Sequence, residues 1–139
     1  MRRDFSTAST ATSAVAQPAD KQLITVYDAY GREVQITRTE WRDKMLLPNL
    51  QLKWNEPGEL YSLIVSALND GFASDLLPAA QRLVEIDDMA ERGHTIHGIV
   101  LMKNGLLDDA DRTLRAGMAK LGETATLLTN LAKRLFMIF

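Results

Sequence analysis

His94 and His97 are the two histidines of the 139-residue chain. Their i,i+3 spacing puts both imidazoles on one face of a helix, the arrangement a metal site would use. Two nitrogens do not complete such a site. Glu91, three residues before His94, begins a Glu-x-x-His pattern, but the carboxylate-bridged bundles that use it need a second copy on another helix, and none is present. Asp108, Asp109 and Asp111 form an acidic cluster at the expected start of a helix, and Asp70 and Asp75 flank an equivalent start. Acids there interact favourably with the helix dipole, and neither group has the spacing of a calcium loop.

Covalent chemistry lacks its reagents. The chain has no cysteine, no Gly-x-Ser-x-Gly elbow, no Gly-x-Gly-x-x-Gly and no Walker loop among its 8 glycines. These features predict a protein that is not an enzyme and uses no cofactor and no metal. A formal net charge of −2 argues against a dedicated nucleic-acid partner. No apolar run is long enough for a membrane span, so the expectation is a cytoplasmic protein without a membrane partner.

The elements that must position any binding surface follow from periodicity. Residues 1–20 are mostly Ser, Thr and Ala, too poor in large apolar side chains to offset ordering entropy, and are expected to form a disordered tail. From Leu23 to Arg38 the period is two: Ile24 and Val26, then Val34 and Ile36, flank Asp28-Ala29-Tyr30-Gly31, which predicts a β-hairpin. Thr37-Arg38-Thr39-Glu40 matches a capping box, so a helix should run through Trp41 and Met45 until Pro48 interrupts it. Residues 49–54 read equally as a short helix or an extended linker, and Asn55 is a suitable cap for the helix that follows. Hairpin and helix together, residues 21–56, are expected to cap the remainder of the chain.

From Pro57 onward the pattern is helical, and it repeats. Leu68-Asn69-Asp70-Gly71-Phe72 and Met102-Lys103-Asn104-Gly105-Leu106 lie 34 residues apart, each reading as a helix end followed by a bulky apolar residue. Helices are expected at 57–70 with 73–86, then 91–104 with 107–120, and Leu128, Leu131, Ala132 and Leu135 open a third unit. The period and the Ala110-x₃-Leu114 and Leu60-x₂-Leu63-Ile64-x₂-Ala67 spacings resemble the tetratricopeptide family, in degenerate form and without its closing proline. The fold class expected is therefore mainly α: an N-terminal β-hairpin plus helix cap, then a solenoid of helical-hairpin repeats over residues 57–139.

The resemblance implies a concave groove, lined by the first helix of each unit, that takes a protein or peptide segment. The contacts it implies are Tyr61 and Asn69, then Arg92, Thr95, Met102 and Lys103, then Lys133. The family's clamp for acidic chain ends would need Lys and Asn where this chain has Tyr61 and Val65, Asn at Ile96, and Lys and Arg at Thr126 and Asn130, so that ligand is disfavoured. In the same alignment His94 and His97 fall on the seam between paired helices. The chain given stops one helix into the third unit at Leu135-Phe136-Met137-Ile138-Phe139, an apolar stretch expected to be covered by more repeats or by a second chain. The alternative role is thus homo-oligomerisation through Leu135, Phe136, Ile138 and Phe139. Acids outnumber bases over 57–90, where Arg82 is the lone cation, whereas 125–139 holds only Lys133 and Arg134 as charges.

Overall fold

A computed structural model describes residues 22–136, without the Phe136 side chain. The expected tail over 1–20 and the contacts expected of the Phe136, Ile138 and Phe139 side chains lie outside the described residues. The chain is mainly helical after one antiparallel hairpin, and it divides into two compact units, one ending at Pro48 and one beginning at Asn49.

In the first unit, strands β1 (Leu23–Tyr27) and β2 (Glu33–Thr37) pair with Ile24 opposite Ile36 and Val26 opposite Val34. The turn is built by Asp28: its Oδ1 accepts from the Tyr30 and Arg32 amides at 2.8 and 3.0 Å, and Gly31 takes φ +79°. That conformation is strained for any residue with a Cβ. Thr37 and Glu40 close the capping box reciprocally, each accepting the other's amide at 3.1 Å.

The helix so started, α1, runs as Arg38–Trp41, Arg42–Leu46 and Leu47–Leu52. Pro48 does not end it, contrary to the sequence expectation. The middle piece is a π-turn in which the Leu47 amide reaches back to the Arg42 carbonyl. Widening the turn by one residue moves the carbonyl that the proline ring would otherwise meet, and the chain continues helically beyond it. Residues 49–52 are accordingly helical rather than extended.

The second unit begins earlier than residue 57 because Arg82 ties the preceding turn to it. Its Nε donates to the Trp54 carbonyl and its Nη2 to Asn55 Oδ1. Asn55 is thereby engaged by Arg82, and Glu56 is the N-cap residue of α2 (Pro57–Asn69), without a side-chain cap bond. Four further helices follow: α3 (Leu77–Ile86), α4 (Ala90–Lys103), α5 (Leu107–Leu121) and α6 (Ala125–Phe136). A 3₁₀ turn at Ala73–Asp75 precedes α3, which starts four residues later than its periodicity suggests. Pro78, fixed in φ and without an N–H, sits in its first turn, where neither property costs a hydrogen bond.

The turns after α2 and α4 are the same structure 34 residues apart. Gly71 (φ +87°) and Gly105 (φ +76°) donate to Leu68 and Met102, while Phe72 and Leu106 donate to Ala67 and Leu101. This is the Schellman arrangement, which satisfies the last carbonyls of each helix and reverses the chain. Asn104 joins the two turns: its Nδ2 donates to Ala73 O at 2.9 Å.

From α2 onward each helix packs on its successor, and α2 meets α4 while α4 meets α6. Small residues bring α4 close to its neighbours. A Cβ on Gly98 would lie 2.8 Å from Leu114 Cδ2, one on Gly117 3.0 Å from His94 Cβ, and one on Gly93 3.3 Å from Val84 Cα. The core runs through Leu60, Ile64 and Ala67 of α2, Ala79, Ala80 and Leu83 of α3, Val100 and Leu101 of α4, Leu114 of α5, and Leu127 and Leu131 of α6. Burying each of the large aliphatic side chains contributes about 1.5–3 kcal/mol.

Candidate functional site

Helix α4 forms the floor of a groove whose walls are α2 on one side and α6 on the other. Two adjoining concavities occupy it and share Ile99. One, of about 260 Å³, is lined by Tyr61, Glu91, Arg92, Thr95, Ile96, Ile99 and Thr126. The other, of about 220 Å³, is lined by Ile99, Met102, Lys103, Asn130 and Lys133. Tyr61, Arg92, Thr95, Met102, Lys103 and Lys133 from the sequence analysis thus line one continuous surface. Asn69 does not line it; it lies exposed in the last turn of α2.

Arg92 is held in place. Its Nε and Nη2 donate to the two carboxylate oxygens of Asp87 at 2.7 and 3.0 Å, and its guanidinium lies 4.6 Å from the centre of the Tyr61 ring. The Asp87 side chain is 2% exposed and accepts a third bond from the Met89 amide. Burial acts most strongly on this carboxyl and pushes its pKa up. The Arg92 hydrogen bonds, the Met89 amide and the Arg92 charge together outweigh it, so the net shift is downward. The guanidinium pKa is raised, first by those same hydrogen bonds. Arg92 is therefore a strut between α3 and α4 rather than a free cation for a ligand.

The lysines differ. Lys103 and Lys133 are exposed, and neither forms an ion pair among the described residues. Arg134, expected to make the C-terminal end basic, turns inward: it donates to Leu107 O and Asp108 Oδ1, both at 2.9 Å, and fastens α6 to the start of α5. Asn130 is buried at the groove wall and donates to Thr126 O at 2.8 Å. Thr95 is buried, with no hydrogen-bond partner for Oγ1 among the described residues.

His94 and His97 do not join a ligand set. His94 Nδ1 donates to the Ala90 carbonyl at 2.9 Å, and its Cβ packs where Gly117 leaves room. Burial, followed by the neighbouring His94, lowers the His97 pKa and favours its neutral form. Among the described residues no group of three or more His, Cys, Asp or Glu side chains is placed to hold a metal ion. Among them, too, no helix is long and apolar enough to cross a membrane.

Glu91, Ile96, Thr126 and Asn130 line the groove in addition to the expected contacts, the last three at the disfavoured clamp positions. The Asp87–Arg92 pair has no signature in the sequence. Their five-residue separation spans a helix boundary and carries no i,i+3 or i,i+4 signature. No family model, characterised protein or solved structure matches this chain.

Proposed function

We propose that the second unit is a tetratricopeptide-like stack acting as a non-catalytic protein–protein interaction module, with a peptide or protein segment bound along α4 between α2 and α6. The observation that carries this reading is the pair of equivalently bonded turns 34 residues apart, with the opening helices α2, α4 and α6 side by side. That packing leaves one helix face of each hairpin lining a shared concavity of mixed apolar and cationic character. Grooves of this kind take extended or helical segments through a few buried apolar anchors and peripheral polar contacts.

Affinity capture with the wild type and with an Ile99→Asp/Thr126→Asp variant, at half-buried and exposed lining positions, tests the reading. Partners captured by the wild type and lost by a folded variant support it; identical sets of partners overturn it.

A second reading, self-assembly, draws on the outer face of α6. Leu128 and Leu135, seven residues apart, are 43% and 46% exposed. Light scattering on a size-exclusion column decides it: a monomer at micromolar concentration removes self-association as the role of that face.

A further inference from the structure

The charges facing the groove are unevenly distributed. At the α2 end stand Glu91, an acid among the residues lining that concavity, and Arg92, whose charge is taken up by Asp87. At the other end Lys103 and Lys133 come from two helices to the mouth of the same cavity, without an acidic partner among the described residues. Between them lie the side chains of Ile99 and Met102 and the amide of Asn130. Lys103 is not needed to close the end of α4, because the Gly105 and Leu106 amides already satisfy the Met102 and Leu101 carbonyls.

We propose that the occupant of this groove is an acidic-apolar peptide segment, its apolar side chain seated on Ile99 and Met102 and an adjacent carboxylate held between Lys103 and Lys133. The inference rests on the groove reading above and specifies the partner's chemistry and direction. The carboxylate end of the segment lies toward the C-terminus of α4, because Glu91 repels it from the opposite end. A nucleic acid is a poorer fit. Two lysines neutralise few phosphates, and the acid Glu91 lines the other half of the groove.

The test uses the full chain and fluorescein-labelled peptides containing Leu-Leu-Glu-Glu, Leu-Leu-Lys-Lys or Ser-Ser-Glu-Glu at their centre. A single-stranded oligonucleotide is the further arm. Binding is read by anisotropy, and location by the amide shifts of Ile99, Met102 and Asn130. The expected result is a preference of about tenfold or more for Leu-Leu-Glu-Glu over Leu-Leu-Lys-Lys, weakening as salt is raised. The preference should invert in Lys103→Glu/Lys133→Glu, whose thermal unfolding should match the wild type if the lysines serve binding rather than folding. The Ser-Ser-Glu-Glu peptide should bind more weakly than its leucine counterpart. Equal affinity for the acidic and basic peptides, or tighter binding of the oligonucleotide, overturns the proposal. In the first case groove amide shifts leave the broader groove reading standing. Peptides that move none of those amides overturn both.

Discussion

Replacing Arg92 with methionine isolates the contribution of the Asp87–Arg92–Tyr61 strut. The substitution keeps most of the aliphatic stem but leaves a carboxylate that is 2% exposed with only the Met89 amide. Removing one partner of a fully buried pair costs about 3–5 kcal/mol. The Arg92 side chain is 23% exposed, so water screens part of the interaction and about 2–3 kcal/mol is the appropriate expectation. With a urea slope of about 1.5 kcal/mol/M, that moves the unfolding midpoint by about 1.3–2 M. The effect has a pH signature. In the wild type the Asp87 pKa lies below its ordinary 3.8, so its contribution is present at neutral pH and is lost only as pH falls through that lowered value. In Arg92→Met, burial is left nearly unopposed and raises the pKa. The penalty is then largest at neutral pH and shrinks on acidification toward the raised value. Urea titrations of both proteins at pH 7 and pH 5, followed by circular dichroism, should show the gap narrowing. The His97 contribution is common to both and cancels in the difference. A midpoint shift below about 0.3 M, or a gap that stays constant between the two pH values, refutes the assignment of Arg92 as a strut.

Gly98→Ala should lower stability by about 1–2 kcal/mol despite the better helix propensity of alanine, because the new methyl meets Leu114 Cδ2 at 2.8 Å; in a Leu114→Ala background the same change should cost less, which a double-mutant cycle by urea unfolding measures. Wild-type stability should fall as pH drops below about 6.5, since the unfolded chain protonates His97 while burial holds the folded imidazole neutral; His97→Gln should flatten that limb of a stability-against-pH curve. Thr95→Val, which removes an unpartnered buried hydroxyl at constant shape, should leave the midpoint unchanged or raise it by up to about 1 kcal/mol equivalent in chemical denaturation, whereas a loss of more than that would mean the hydroxyl has a partner. Thr37→Ala should cost the first unit about 1 kcal/mol by opening the capping box, visible as faster amide exchange at Glu40.

The elements of the second unit were readable from its sequence where local chemistry decided them. Gly71 and Gly105 marked helix ends because a left-handed residue is needed there, and the apolar spacing between them set the helices. Pro48 misled for an equally local reason: a proline reads as a stop unless a π-turn precedes it, and no residue pattern announces one. Arg82 taking Asn55 as an acceptor, and Arg134 reaching Leu107 and Asp108, are contacts across 26 or 27 residues, invisible to spacing rules. Along the groove, the lysines were legible because repeat phase places them on the lining helices. Asn69 shared that phase but lies at the end of α2, exposed and outside both concavities.

Helix α4 is buried along Gly93, His94, Thr95, Ile96, Gly98, Val100, Leu101 and Met102, and it also forms the floor of the groove. Its residues serve two masters at once: most changes there alter the packing of α2, α3, α5 or α6 as well as the surface of the groove. The exposed wall positions Thr126 and Lys133 carry less of that double constraint. On the groove reading proposed above, a lineage of such proteins would diversify its partners by varying the walls while the floor stayed nearly fixed. Groove specificity is in this sense a property that can drift without unfolding its carrier.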